Sequence, residues 1–380
     1  MKRYLVICPY FYPFKSPLSK VTQRIIDELV KEDICCDVIS LGENKKYTLN
    51  EKVNCFFINT FKKNKLMSFF RKSFMKIYSF FYDAQLYYSH LFYRKGKALI
   101  KRNHYDGVIS ISGYFSEHIA SFRLNKKFHL AQYFLYADPF FSNGSLRKVS
   151  KKKLIQIEKK CLNTCKYAFL LPTFYEEYCK QYPEYQNKFV KYVLPGFFRE
   201  EELKIINSVK EENNNITYAG SFYYFRKPDN IFSLAKRLQS YTFNLYCGND
   251  IKELGYKNIP NNVIVHERKD GKDFLQAIGK AKYLYLEDNG ELSNFIPFKA
   301  FEYISTEKKI IFSTDNLNSE TSKLISNYQN AYIINQNEDF DDDKFTSFME
   351  EERKVDIIKD ELKQFTSAEV IKIILEKICE

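Results

Sequence analysis

The chain contains no tryptophan, four methionines, twelve glycines and ten prolines among 380 residues. So little glycine and proline leaves no room for low-complexity linkers. No uncharged apolar run reaches the roughly 18 residues of a membrane span, so none is expected. The apolar run near the start, Tyr4 to Cys8, is too short for a secretory signal and reads as a strand. No Asp-x-Asp stands near a strand end, and Asp341-Asp342-Asp343 falls in an acidic surface stretch of the late chain. Acid is also scarce between Lys62 and Arg102, where eleven Lys or Arg stand against one carboxylate, Asp83. Without that window the chain, +12 overall, is close to neutral.

What is present describes a globular, soluble protein: 45% hydrophobic and 28% charged residues. Thirty Tyr and thirty-five Phe, with abundant Lys and Asn, match an AT-rich coding bias. The nine cysteines are scattered and odd in number. Cys161 and Cys165 are four apart on one helix, but no His or Cys partner lies close in sequence. Reduced cytosolic thiols are therefore expected rather than zinc. The sequon Asn143-Gly144-Ser145 then has no meaning.

A chain of this length suits two domains. Strands are predicted at Arg3–Cys8, Ile34–Leu41, Val53–Ile58, Asp106–Ile111, His129–Tyr136, Tyr167–Leu171 and Val190–Leu194. Helices fall between them at Leu18–Lys31, Phe115–Phe122, Arg147–Cys165 and Thr173–Gln181. Pro195-Gly196 punctuates the middle, and the polar run Lys210–Asn215 precedes a second cycle. That cycle has strands at Ile216–Ala219, Thr242–Cys247, Val263–His266, Tyr283–Leu286, Ile310–Phe312 and Tyr332–Ile334. Its helices are Pro228–Gln239, Asp273–Lys280, Pro297–Thr306 and Glu320–Tyr328, with a tail helix at Ala368–Ile378. Short apolar strands alternating with helices predict parallel sheets covered on both faces. The expected fold is α/β: two doubly wound Rossmann-like domains, 1–195 and 196–365, with a C-terminal helix in 366–380. A ligand cleft is expected at the carboxyl ends of the strands.

The segment Ser293 to Ile304 carries the most chemistry. Pro297 suits the first turn of a helix, and Lys299 and Glu302 share one face near that start. Free N–H groups and a lysine there suit an anion, and a carboxylate one turn on suits a ribose diol. A surface ion pair on an ordinary crossover helix remains the other reading.

Tyr218-Ala-Gly-Ser-Phe-Tyr-Tyr-Phe-Arg-Lys-Pro228, together with Pro297-Phe-Lys-Ala-Phe-Glu-Tyr303, resembles the GT-B-fold glycosyltransferases, especially bacterial family 4 enzymes of surface-polysaccharide assembly. Weaker echoes run from Pro9 to Leu29, at Tyr136–Phe140, at the Glu158 helix and at Val193–Gly196. The resemblance implies a nucleotide-diphosphate sugar as donor, a saccharide or polyprenyl-linked hydroxyl as acceptor, retention at the anomeric carbon, and no cofactor or metal. It assigns the diphosphate to Arg226 and Lys227, beside Gly220 and Ser221 at a strand end, with help from Lys299. Two cations and free N–H groups at a helix start can hold a leaving diphosphate, and a solvated loop pair is the alternative. Glu302 matches the family's second glutamate, the ribose holder. The first is Asn294 here, so the family's sugar contact does not carry over. The glycine-rich first loop is also absent: Ser16, Ser19 and Lys20 stand there, with Ser19 eligible as a helix cap. Asp138, after a strand and before Pro139, is either the acceptor's proton acceptor or a turn-forming Asp-Pro. His118 reads as structural.

In the window 62–102, Met67, Phe70, Phe74, Ile77, Phe81 and Tyr88 gather on one helical face, opposite Lys65, Lys72 and Lys76. That face either packs on the first domain or docks on an anionic membrane surface. No nucleic-acid motif accompanies the charge. The combined expectation is a cytoplasmic enzyme peripheral to the inner face of the cell membrane. A non-catalytic scaffold of the same fold and a nucleotide-sugar epimerase remain as alternatives.

Overall fold

The computed structural model describes residues 1–13, 16–42, 50–59, 84–113, 115–142, 150–223, 226–288, 296–355, 358 and 360–380. The chain divides into two compact units, residues 1–195 with 367–380, and residues 196–366.

The first unit is built on β1 (Arg3–Ile7), β2 (Cys35–Leu41), β3 (Val53–Ile58), β4 (Gly107–Ser112), β5 (Ala131–Tyr136), β6 (Tyr167–Leu170) and β7 (Phe189–Lys191). They form one sheet in the order β3-β2-β1-β4-β5-β6-β7, with every pair parallel. β1 is central and buried on both faces: Leu5, Val6 and Ile7 are wholly covered. Its continuous apolar run is what a doubly covered parallel strand needs. Helix Ala84–Ile100 packs Phe92 and Leu99 into the core beside Leu5, Ile39 and Leu124. Tyr88 packs partly against the same cluster, so the described part of the basic window follows the packing reading. Its other named residues, Lys65 to Phe81, lie outside the described residues.

Two contacts close this unit. Helix Pro17–Lys31 buries Arg24, whose Nη1 donates to the Pro195 carbonyl at 2.9 Å. Helix Ser367–Cys379 returns from the end of the chain to pack on Pro17–Lys31, and Tyr4 donates to the Ile378 carbonyl at 3.0 Å. The tail helix therefore follows no strand because its apolar face is spent on the first unit. Ser16, not Ser19, caps Pro17–Lys31: its hydroxyl accepts from the Ser19 N–H at 3.1 Å, while Ser19 itself is buried.

The second unit contains β8 (Glu212–Ala219), β9 (Thr242–Tyr246), β10 (Val263–His266), β11 (Ala281–Glu287), β12 (Lys309–Thr314) and β13 (Ala331–Asn335). Their order is β10-β9-β8-β11-β12-β13, again all parallel. β8 begins earlier than its apolar run, because exposed Glu212–Asn214 extend the strand and Asn215 bonds Glu212 and the Lys280 carbonyl. Asp341 to Asp343 open helix Asp342–Glu350, with Asp341 as its cap.

The entry and exit of this unit meet on one helix. Phe197 N–H donates to the Phe365 carbonyl, Phe198 N–H donates to Ser305 Oγ at 3.1 Å, and Phe365 lies 4.6 Å from the Phe301 ring. A Cβ on Gly196 would fall 2.4 Å from Phe301 Cβ, too close for any side chain. Helix Phe298–Ile304 is thus locked from both ends of the unit. Gly196→Ala should destabilise the protein by about 1–3 kcal/mol through overpacking, read as a lowered midpoint in urea or heat. An unchanged midpoint would show that Phe301 can retreat.

Candidate functional site

Where the strand order reverses, the loops on either side part and leave room at the carboxyl ends. In the second unit this point lies between β8 and β11. β8 ends at Ala219, and a Cβ on Gly220 would stand 1.5 Å from Lys299 Nζ, so only glycine lets the lysine cross there. The Lys299 ammonium lies 4.4 Å from the centre of the Tyr218 ring and 3.4 Å from its hydroxyl oxygen. It is therefore directed to the end of β8, not along an outer helix surface. The Tyr303 hydroxyl, accepting from the Ala219 N–H at 3.0 Å, ties the same helix to β8.

The chain beyond Gly220 folds back sharply. Tyr218 donates to the Ser221 carbonyl at 2.8 Å, and Phe222 N–H donates to Asp250 at 2.9 Å. Tyr223 and Arg226 then exchange two backbone bonds of 2.9 and 3.0 Å, which set these two residues side by side. Arg226 is carried back to the sheet, 8% exposed, where its charge acts on Tyr218, Glu287 and Tyr303. Lys227 goes elsewhere: it is exposed and lines a shallow recess of about 190 Å³ with Leu254, Gly255 and Tyr256. Of the expected pair, Arg226 is buried and Lys227 is exposed, and the second cation acting on Tyr218 is Lys299.

Helix Phe298–Ile304 has only seven residues, and Pro297, with φ −59° and ψ 133°, precedes it rather than forming its first turn. So short a helix has a weak dipole, and the positive charge there belongs to Lys299. Glu302, one turn on, is 2% exposed. Asn294 lies outside the described residues.

Sequence reading passes over Glu287, the last residue of β11. It is 5% exposed and accepts from Asn230 Nδ2 at 2.7 Å, from Gln336 Nε2 at 3.1 Å and from the Tyr285 hydroxyl. Burial pushes its pKa up to about 7, against the lowering effect of those donors and of Arg226. The one signal it leaves is an acid closing an apolar strand.

In the first unit, Asp138 follows β5, and its Oδ2 lies 3.7 Å from where a Gly113 Cβ would stand, beside the end of β4. Asp138 is exposed by surface area, and desolvation by the atoms around it pushes its carboxyl above the usual carboxylate range. The loop bearing it is held from beneath. Phe140 N–H donates to the Tyr178 hydroxyl at 2.8 Å, and Tyr178 and Tyr182 donate to buried Glu158 at 2.8 and 2.6 Å. Phe115, at φ +64°, stacks its ring on Phe140. His118 is wholly buried among Phe115, Phe134 and Tyr136, bonded to Ser110 at 2.6 Å, with its pKa pushed well down by burial. It is a core residue.

All nine cysteines are free thiols. Among the described residues no group of three or more His, Cys, Asp or Glu is placed to hold a metal, and no helix is long and apolar enough to cross a membrane.

Two all-parallel, doubly wound units in one chain, each with its order reversing beside the first strand, constitute the GT-B architecture of two Rossmann-like domains. Solved structures of that architecture match the whole chain. One is the UDP-GlcNAc 2-epimerase from Neisseria meningitidis bound to UDP-GlcNAc, at 12% identity, 100% coverage of both chains and a TM-score of 0.56. Another is UGT89C1 of Arabidopsis thaliana complexed with UDP-L-rhamnose, at 10% identity, 100% coverage of both and a TM-score of 0.54. UGT2 of Phytolacca americana gives 11%, full coverage and 0.52. Likeness at these identities establishes the fold. No protein-family model matches the chain, and no curated protein matches it by sequence.

The contact over Gly220 has a direct consequence. Gly220→Ala meets only the far end of a flexible lysine, so thermal stability should stay within about 0.5 kcal/mol of the parent. Lys299 must leave Tyr218, and affinity for any anion that Lys299 binds there should fall several-fold. Unchanged affinity, by calorimetry, would remove Lys299 from the site.

Proposed function

We propose that this chain is a glycosyltransferase that moves a sugar from a nucleotide diphosphate to a hydroxyl of a saccharide acceptor. The observation that carries the reading is the seat of Lys299 over Gly220 on Tyr218, at the switch point of the second unit, with the buried Arg226 charge acting on the same phenol. Both side chains are cationic, and an anion brought to the end of β8 is attracted by both. A diphosphate supplies that anion, and charge that develops as it leaves is stabilised by donors already in place. Glu302 then serves the ribose, with Gly220 and Ser221 giving close backbone approach. Asp138, at a strand end in the first unit, is the group proposed to accept the acceptor hydroxyl's proton. The Gly-Ser turn and the Pro-x-Lys-x-x-Glu segment support a family 4 enzyme of bacterial type, retaining and metal-independent, acting on a lipid-linked saccharide in surface-polysaccharide assembly. The cationic window 62–102 supports attachment to the anionic inner face of the membrane.

The test is a thermal-shift screen with UDP, GDP, ADP, CMP, dTDP and their common sugars. One nucleotide should stabilise the protein, and Glu302→Gln, chosen because the residue is buried, should abolish the shift while keeping the parent melting point. No shift with any nucleotide would favour a non-catalytic scaffold. Turnover of the nucleotide sugar without an acceptor, returning its epimer, would favour an epimerase of the same fold. Transfer should persist in excess chelator; loss restored by manganese would refute metal independence.

A further inference from the structure

Asp138 carries an exposed carboxyl to which no described residue gives a hydrogen bond. Its reach is therefore set by its backbone, and that backbone is fixed on both sides. Before it, the Tyr136 carbonyl accepts from the Tyr192 hydroxyl at 2.8 Å, and the Ala137 N–H donates to the Ser112 carbonyl at 3.1 Å. After it come Pro139, buried and with φ fixed by its ring, and Phe140, which is held in two ways. The Phe140 ring stacks on Phe115 with centres 3.6 Å apart. Its N–H lies outside any strand and donates to the Tyr178 hydroxyl at 2.8 Å.

That last bond belongs to a directed chain. Tyr178 stands on helix Pro172–Gln181, wholly buried, and gives its own proton to Glu158 Oε1 at 2.8 Å. A hydroxyl has one proton to give, so an acceptor at Glu158 turns that proton away from the loop and leaves a lone pair for Phe140. Glu158, on helix Lys151–Thr164, is held in turn by the Tyr182 hydroxyl, which donates to Oε2 at 2.6 Å. Tyr182 is as buried as Tyr178 and packs on the same Phe141 ring, but its hydroxyl bonds Glu158 and not the loop.

We propose that Tyr178 is the positioning residue of the acceptor side: through the Phe140 N–H and Pro139 it sets the place of the Asp138 carboxyl, and Glu158 orients Tyr178 for that task. This rests on the reading of Asp138 as the group that takes the acceptor's proton, and adds what holds it there. A general base acts only within hydrogen-bond reach of its proton, so a small shift of this loop is felt in the rate and not in donor binding.

The experiment compares the full chain with Tyr178→Phe, Tyr182→Phe and Asp138→Asn. The donor is whichever of UDP-glucose, GDP-mannose, ADP-glucose and dTDP-glucose the parent binds. The acceptors are the octyl glycosides of glucose, galactose, mannose and N-acetylglucosamine. Asp138→Asn should lower kcat for transfer by about a hundredfold or more. Tyr178→Phe should lower it about tenfold through misplacement, with donor affinity unchanged by calorimetry and faster hydrogen exchange at the Phe140 amide. Tyr182→Phe removes a bond of the same kind, so it should lose comparable thermal stability while kcat stays close to the parent's. An unchanged kcat in Tyr178→Phe, or equal losses in the two tyrosine variants, overturns the proposal and leaves Asp138 standing. If Tyr178→Phe does not fold, Pro139→Ala decides, because it removes no hydrogen bond and loosens only the link between Phe140 and Asp138. Its kcat should fall several-fold at unchanged donor affinity, and an unchanged kcat overturns the proposal. An unchanged kcat in Asp138→Asn overturns the Asp138 reading and this inference together, as does a parent that transfers to none of the four glycosides.

Discussion

A parallel strand cannot be joined to its neighbour by a tight turn, and that constraint governs this molecule. Each connection must cross a face of its sheet, and the crossover is right-handed. Strands added in one direction from β1, then in the other, cover opposite faces, and the order reverses once in each sheet, at β1/β4 and β8/β11. Much of the candidate chemistry lies at those carboxyl ends: Gly220 and Arg226 after β8, Glu287 as the last residue of β11, Asp138 after β5. The side chains are diverse, but their gathering is a consequence of strand direction.

Within the second unit a further layer of constraint acts on one short helix. Phe298–Ile304 is too short to be stable by its own hydrogen bonds. It is held by Gly196 and Phe198 as the chain enters, by Phe365 as it leaves, and by Tyr303 on β8. That support lets Lys299 cross over a glycine to Tyr218 and keeps Glu302 covered. The first unit applies the same economy to the Asp138 loop, which two tyrosines and a buried glutamate hold from below. Glu158, like Glu287, has its pKa pushed up to about 7 by burial. The ionised form of each is the costly one, so both work against stability as pH rises from the ordinary carboxylate range through 7.

Much of the fold was legible because doubly covered strands announce themselves. Runs such as Tyr4–Cys8 and Ile310–Phe312 are apolar on both faces and bounded by polar segments, so all thirteen strands fall within a few residues of their expected places. β7 and β8 shift most, because β7 is an edge strand of three residues and β8 begins with exposed Glu and Asn that carry no apolar signal. Helices Glu200–Asn207 and Asp342–Glu350 were missed for a related reason: they are short, largely exposed, and opened by acids that read as loop.

The candidate site was legible as a set of residue types and illegible as a geometry. Arg226, Gly220, Lys299 and Glu302 stand out by spacing and chemistry alone, and the parallel α/β class follows from local pattern. Which cations act together does not, since Lys227 neighbours Arg226 in sequence yet is exposed, while Lys299, seventy-three positions from Arg226, sits on the Tyr218 phenol that the Arg226 charge also acts on. Glu287 is a single acid at the end of a strand until Asn230, Gln336 and Arg226 arrive from three other parts of the chain. The sequence by itself determined the strands, the helices and the inventory of charges, because those depend on neighbours a few residues away. The pairing of charges and the raised pKa of a carboxyl were decided only by tertiary structure, because electrostatic energy depends on distance and burial in space, not on separation along the chain.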